Sequence, residues 1–231
     1  QESIGILTDY DADGLTSHAV LDAALDRFGV PVDRRSHWIG LRLEEGYGIS
    51  PLLVDRILES PQRPQLFISA DCGSSDEAQI ARLKAAGMDV IVTDHHRVSD
   101  FGPPPSAVAV INPNRADCAY PDKAIAGCLV SWLVMCALRA RLIEVGLLSE
   151  TSPKLGDLLD YVALGTVADC VSLGDSEANR AVVNAGLSMM AKQARPCWQV
   201  AFDRLIRDPR DLNASFLAFQ LAPRLNARGR L

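Results

Sequence analysis

The stretch SIGILTDYDADGLTSHAVLDAALDRF, residues 3–28, decides the fold. It opens on an apolar run, and residues 3–8 read as a strand. It closes with Leu15, Ala19, Leu21, Leu25 and Phe28 on one mostly apolar face, so residues 15–28 read as a helix. A strand leading straight into a helix is the start of a βαβ unit. Between the two stand three acids, Asp9, Asp11 and Asp13, at every second position ahead of Gly14. Like charges this close repel and push one another toward protonation. Something positive is needed to hold them.

Outward from this stretch the alternation continues. Residues 34–39, 65–70, 89–93 and 107–111 read as strands, and residues 51–59 and 76–86 as helices, with Ser75 or Asp76 as the N-cap of the latter. The series predicts an α/β fold, a parallel sheet of about five strands flanked by helices. After FGPPPSA and INPNRADCAYPD the pattern changes. Residues 124–141, 153–164, 178–192, 198–206 and 213–222 all read as helices. Residues 1–115 are therefore expected to form the βαβ core of one domain, and residues 116–231 its mostly helical continuation.

Bulk composition narrows the class. The 231 residues are 48% hydrophobic and 23% charged, as expected of an ordinary globular chain with a full core. No apolar run is long enough to span a bilayer, so no membrane role is expected. Gln1 begins almost directly on a strand-like run, with no leader pattern ahead of it, which reads as a trimmed start. The net charge of −6 argues against a broad basic face that coats nucleic acid. It leaves a nuclease open, because metal ions invert the charge of an acidic site. The six cysteines, at 72, 118, 128, 136, 170 and 197, form no Cys-x-x-Cys pair and read as reduced thiols of a cytoplasmic protein.

The acids sit where strands end. Asp71, in ISADCG, follows the third predicted strand, and Asp94, His95 and His96, in VTDHH, follow the fourth. Asp169 ends an apolar helical stretch, ALGTVADCVSL. Sites in open parallel sheets form at the carboxyl ends of the strands. Taken singly, Asp71 or Asp169 reads as a turn residue or helix cap, and a lone histidine as structural. Together they read as a cation site. Carboxylates with one or two imidazoles suit Mn²⁺ or Mg²⁺, and Fe²⁺ or Zn²⁺ less selectively. Two ions sharing a carboxylate would support phosphoester hydrolysis.

These residues resemble a known family. DYDADG, DCG, DHH and ALGTVADCVSL, in this order, resemble the four motifs of the DHH phosphoesterase superfamily. RLEEGYGIS, INPNRADCAYPDKAIAGCLVSW and APRLNARGRL resemble segments of its RecJ-like branch. The resemblance covers nearly the whole chain. It implies that Asp13, Asp71, His95 and Asp169 bind one Mn²⁺ or Mg²⁺, and that Asp11 and Asp71 bind a second. Asp9 is a further ligand there or an orienting residue. His96 would contact the scissile phosphate, and Asp94 would orient the neighbouring imidazole. Arg224, Asn226, Arg228 and Arg230 in RLNARGR resemble a substrate clamp, with Asn226 and Arg230 the favoured phosphate contacts; Arg42 is a similar candidate. Guanidinium suits phosphate because it forms two parallel hydrogen bonds. Two departures, Leu41 where the family has a polar residue and Arg228 where it has alanine, bear on substrate contacts.

The implied activity is metal-dependent 5′→3′ exonuclease action on single-stranded DNA in repair and recombination, with repair proteins as partners of a full-length parent. RNA oligonucleotides are the alternative polymer. Two rivals are a phosphodiesterase for short oligoribonucleotides, cyclic dinucleotides or nucleotide bisphosphates, and an inactive RecJ-like binding module. The DHH-associated second domain of RecJ-like enzymes is expected to lie outside this chain, together with much of the basic nucleic-acid surface. Tyr47 and Trp38 read equally as base-stacking or core aromatics.

Overall fold

The computed structural model describes residues 2–206 and 208–228. Five strands form one all-parallel sheet in the order β2-β1-β3-β4-β5: β1 (Ile4–Thr8), β2 (Arg35–Ile39), β3 (Leu66–Ala70), β4 (Asp89–Thr93) and β5 (Ala109–Ile111). The predicted class is therefore the observed one. After β1 the chain builds one neighbour, β2, then crosses to the other side for β3. The order reverses between β1 and β3, and the crevice at their carboxyl ends is where such sheets bind ligands.

Side chains alternate across the sheet, and both faces are covered. Ile6, Ile68 and Ala70 pack with helix α1 (Ala12–Arg27), α5 (Gly127–Glu144) and α6 (Leu159–Ala168). Leu7, Phe67, Val90 and Val92 face the opposite way, against α3 (Pro51–Glu59) and α4 (Glu77–Ala85). Trp38, which the sequence left open between base stacking and core, joins this second layer and is buried.

Helix α1 starts at Ala12, ahead of the residue 15 that apolar spacing predicts. Asp11 is its N-cap, accepting from Gly14 N–H at 2.9 Å, so cap chemistry sets the start and not hydrophobic periodicity. Asp76 occupies the N-cap position of α4, but its side chain makes no bond to that helix; the carboxylate accepts from Ile49 N–H at 3.0 Å instead. A short helix that the pattern does not predict, α2 (Arg42–Glu45), precedes α3.

In the second half α6 is largely apolar, as a helix buried on most sides should be, and its buried Asp160 is paired with Arg195. Val162 faces the sheet-side core, while Ala163, Leu164 and Val167 join Trp198, Phe216 and Leu217 in a third cluster. That cluster gathers α7 (Glu177–Met190), α8 (Pro196–Leu205), α9 (Ala214–Phe216), a π-helical segment Leu217–Leu221, and α10 (Ala222–Arg228). Among the described residues no helix is long and apolar enough to cross a membrane. All six cysteines are free thiols.

Candidate metal centre

Four chain segments deliver their acids and histidines to the β1/β3 crevice. Asp9 and Asp11 leave β1, and Asp13 lies in the first turn of α1. Asp71 follows β3 in the left-handed region, with φ of 61°. That conformation costs energy for a residue with a Cβ and is kept at sites that need the side chain redirected. Asp94, His95 and His96 follow β4, and Asp169 caps the end of α6.

The convergence point is His95 Nε2. Asp71 Oδ1 lies 3.2 Å from it, Asp169 Oδ2 3.6 Å and Asp13 Oδ2 3.9 Å. The ring hydrogen-bonds the Ile125 backbone, while Nε2 itself has no hydrogen-bond partner. On the other side of Asp71 stand Asp9 and Asp11, and these three can offer one oxygen each within 4.8 Å of one another. Asp71 thus belongs to both groups.

Helix α5 meets the site end-on. Gly127 N–H donates to Asp13 Oδ2 at 2.7 Å and Cys128 N–H to Asp13 Oδ1 at 2.9 Å. The helix N-terminus favours an anion there. A Cβ on Gly127 would stand 2.7 Å from Asp71 Oδ1, so glycine is what lets this helix approach.

The electrostatics are those of a site short of positive charge. Burial and then the Asp11 carboxylate push Asp9 up to about 7. Burial and then Asp13 and Asp11 push Asp169 up to about 7. Burial and the surrounding acids hold Asp71 well above the ordinary carboxylate range, and burial raises Asp13. Burial lowers His95, against the pull of Asp13. Asp9 Oδ1 and Asp71 Oδ1, like His95 Nε2, are buried without a hydrogen-bond partner. Buried polar atoms in proteins are normally satisfied. Three orphaned metal-ligating atoms in one crevice fit divalent cations.

Asp94 behaves differently. Burial alone would raise it, but hydrogen bonds from His96 and Ser74 outweigh burial and hold it at about 2. It accepts from Ser74 N–H at 2.9 Å, His95 N–H at 2.7 Å, His96 N–H at 3.1 Å and His96 Nδ1 at 2.8 Å. A carboxylate this occupied organises the loop. His96, raised chiefly by its bond to Asp94, is half-exposed, with Nδ1 3.8 Å from Asp71 Oδ1.

The outlying candidates divide. Arg42 lies over the Tyr10 ring, 5.3 Å from its centroid, and close enough to lower Asp9. Asn226 reaches the crevice, where its Oδ1 accepts from Ala12 N–H at 2.7 Å. Arg224 instead bonds the Gln220 carbonyl in the π-helical segment just before α10 and faces solvent. Of Arg228 only the helical backbone is described, and Arg230 lies outside the described residues.

Sequence reasoning assigned no role to Asn112 or Asn114, yet they hold the histidine loop. Asn112 Nδ2 donates to the His96 carbonyl at 2.8 Å and to Ser74 Oγ at 2.7 Å, and Asn114 Nδ2 donates to the His95 carbonyl. Their signal was the NPN triplet directly after a strand. Tyr47 is not core: it is 54% exposed and its hydroxyl touches His96.

The model described as "DHH family, N-terminal domain" matches residues 3–166. The single-stranded-DNA-specific exonuclease RecJ of Salmonella typhimurium is 43% identical over 230 residues, 98% of this chain and 38% of that protein. Its Escherichia coli counterpart is 40% identical over the same shares. A crystal structure of exonuclease RecJ bound to manganese superposes with a TM-score of 0.82 at 33% identity, covering 99% of this chain and 53% of that one. The chain thus spans about two-fifths of the length of the curated relatives it matches.

Proposed function

The chain belongs to the DHH family, and on that premise we propose that it is the catalytic part of a RecJ-like exonuclease, hydrolysing phosphodiester bonds of single-stranded DNA from the 5′ end. The observation that carries this reading is the partnerless His95 Nε2 faced by Asp71, Asp169 and Asp13, with Asp71 shared by Asp9 and Asp11. One site would be held by Asp13, Asp71, His95 and Asp169, the other by Asp9, Asp11 and Asp71. Two divalent cations, when bound, would activate the attacking oxygen and neutralise the charge that builds up on the leaving oxygen. The oxygen-rich donor set suits Mn²⁺ or Mg²⁺, and the related exonuclease RecJ was crystallised with manganese.

The protein's own groups do the rest. Asp94 fixes the His96 ring so that it faces the scissile phosphate. Arg42, over Tyr10, would be a phosphate contact, and Asn226 reaches the crevice beside Ala12; Arg228 and Arg230 of the RLNARGR segment would be further phosphate contacts. The setting is cytoplasmic DNA repair and recombination, with repair proteins as partners of the longer parent. Residues 1–115 and 116–231 act as one catalytic domain, completed in the parent by a DHH-associated domain.

The test is release of 5′-labelled mononucleotide from single-stranded DNA with Mn²⁺, set against Asp71→Ala and against duplex DNA, RNA and a dinucleotide. Release from long single strands that the variant abolishes is expected. Cleavage of the dinucleotide alone would favour a small-substrate phosphodiesterase. Absence of Mn²⁺ binding would overturn the site assignment, and cleavage of RNA in preference to DNA would change the substrate.

A further inference from the structure

Tyr47 lies in the loop between α2 and α3, in EEGYGIS. Two anchors fix that loop. Upstream, Glu45 pairs with Arg56 and accepts from Leu41 N–H at 2.8 Å. Downstream, Asp76 accepts from Ile49 N–H at 3.0 Å. Gly46 and Gly48, on either side of Tyr47, have φ of 87° and 71°, a backbone path that residues with a Cβ rarely follow. The result turns a half-exposed tyrosine inward. Its hydroxyl stands 3.0 Å from His96 Nε2 and 3.3 Å from Nδ1, and the two rings meet edge to face with centroids 5.8 Å apart.

The bonding at His96 assigns roles. Nδ1 lies 2.8 Å from Asp94 Oδ1, and a carboxylate only accepts, so Nδ1–H donates to it. The Tyr47 hydroxyl lies within 3.3 Å of both ring nitrogens, so it rests against the ring and leaves the in-plane direction of Nε2 open; with Nδ1–H on Asp94, the ring meets a phosphate oxygen through an Nε2–H. The imidazole is held by Asp94 at Nδ1 and steadied by the Tyr47 hydroxyl against the ring.

We propose that Tyr47 is a positioning residue for His96, holding the ring so that its Nε2–H is aimed at a phosphate oxygen of the substrate. This rests on the reading of the site as a phosphodiesterase centre. It gives the EEGYG loop a task apart from base stacking. The hydroxyl supplies the contact with His96, and the two glycines supply the backbone that aims it.

Tyr47→Phe removes the hydroxyl alone. With Mn²⁺ and single-stranded DNA, kcat should fall about five- to tenfold, the size of one lost hydrogen bond, with KM within about twofold. In a His96→Ala background, followed in single turnovers with enzyme in excess, the same change should cost nothing further. A fall that persists in that background would show Tyr47 acting independently of His96 and would overturn the proposal, as would no fall in the wild-type background. Nitrogen chemical shifts of the His96 ring, recorded without substrate, provide a readout independent of turnover. Tyr47→Phe should move Nε2 and leave the His95 ring unmoved. An unmoved Nε2 signal overturns the proposal. Wild-type protein that releases no nucleotide would count against the exonuclease reading alone, and the ring-nitrogen result would still decide the role of Tyr47.

Discussion

Asn226 Oδ1 accepts a hydrogen bond from Ala12 N–H at 2.7 Å, joining α10 to the first turn of α1. The bond spans nearly the whole described chain. Ala12 N–H is one of the helix-terminal donors that no carbonyl within α1 can satisfy. Asp11 and Asp13 flank it. The carboxy-terminal helix therefore sets the position of the loop that carries the acids.

Asn226→Ala should leave that amide unpaired, costing about 1–3 kcal/mol. It should also weaken Mn²⁺ binding, because the Asp9–Asp13 loop loses a tether. Asn226→Asp keeps an acceptor for Ala12 and loses the amide donor. If the donor matters for substrate phosphate, the aspartate variant should bind Mn²⁺ at least as tightly as wild type and still bind DNA more weakly. Titration calorimetry with each ligand separates the two; equal Mn²⁺ affinity in the alanine variant would refute the tether.

The metal-free protein should lose stability as pH rises. Asp9 and Asp169 have folded-state values near 7, above the ordinary 3.8, so the folded state binds their protons more tightly than the unfolded one. Their contribution is full below about 4 and is lost as pH rises through 7. Thermal unfolding in chelator should show Tm falling across that window, and Asp169→Asn should flatten part of the fall. Saturating Mn²⁺ should remove it, because cations take the place of the protons. A chelated protein whose Tm is level from pH 5 to 8 would refute this account.

At Gly127 the constraint is steric. A Cβ there would approach Asp71 Oδ1 to 2.7 Å, and Asp71 is 2% exposed with little room to retreat. Gly127→Ala should cost about 1–3 kcal/mol in urea unfolding, in the range of overpacked cores. It should also lower Mn²⁺ affinity by moving the shared carboxylate. Gly156, whose added Cβ would meet nothing, is the control and should tolerate alanine.

The sheet was legible in the sequence because its strands are short apolar runs punctuated by acids. The ends of the runs at residues 59, 70 and 93 coincide with the observed ends of α3, β3 and β4. The acids of DYDADG, DCG and DHH were legible as one site because parallel strands bring their carboxyl ends to one edge. What stayed hidden depends on contacts distant in sequence. Helix α2 is four residues with no apolar period, and the π segment Leu217–Leu221 lies inside what spacing alone reads as one regular helix. The grip of Gly127 and Cys128 on Asp13 crosses more than 110 positions, and no local pattern encodes it.

Asn112 belongs to the same hidden class. It is 2% exposed, and its side chain spends every hydrogen-bonding group: Nδ2 on the His96 carbonyl and Ser74 Oγ, Oδ1 on Asn114 N–H at 2.7 Å. Ser74 N–H in turn holds Asp94, so one amide links the DCG and DHH loops. Asn112→Asp replaces a donor with a second acceptor facing a carbonyl. It should be more damaging than Asn112→Ala, because the alanine leaves partners unpaired while the aspartate repels them. Both should destabilise by a few kcal/mol in urea unfolding, on the order of buried hydrogen bonds left unmade. Both should lower turnover more than Mn²⁺ affinity, since the loop they disturb carries His96 beside the ligand His95. If the aspartate proved the milder change, the donor role of Nδ2 would be wrong and the amide would be turned the other way.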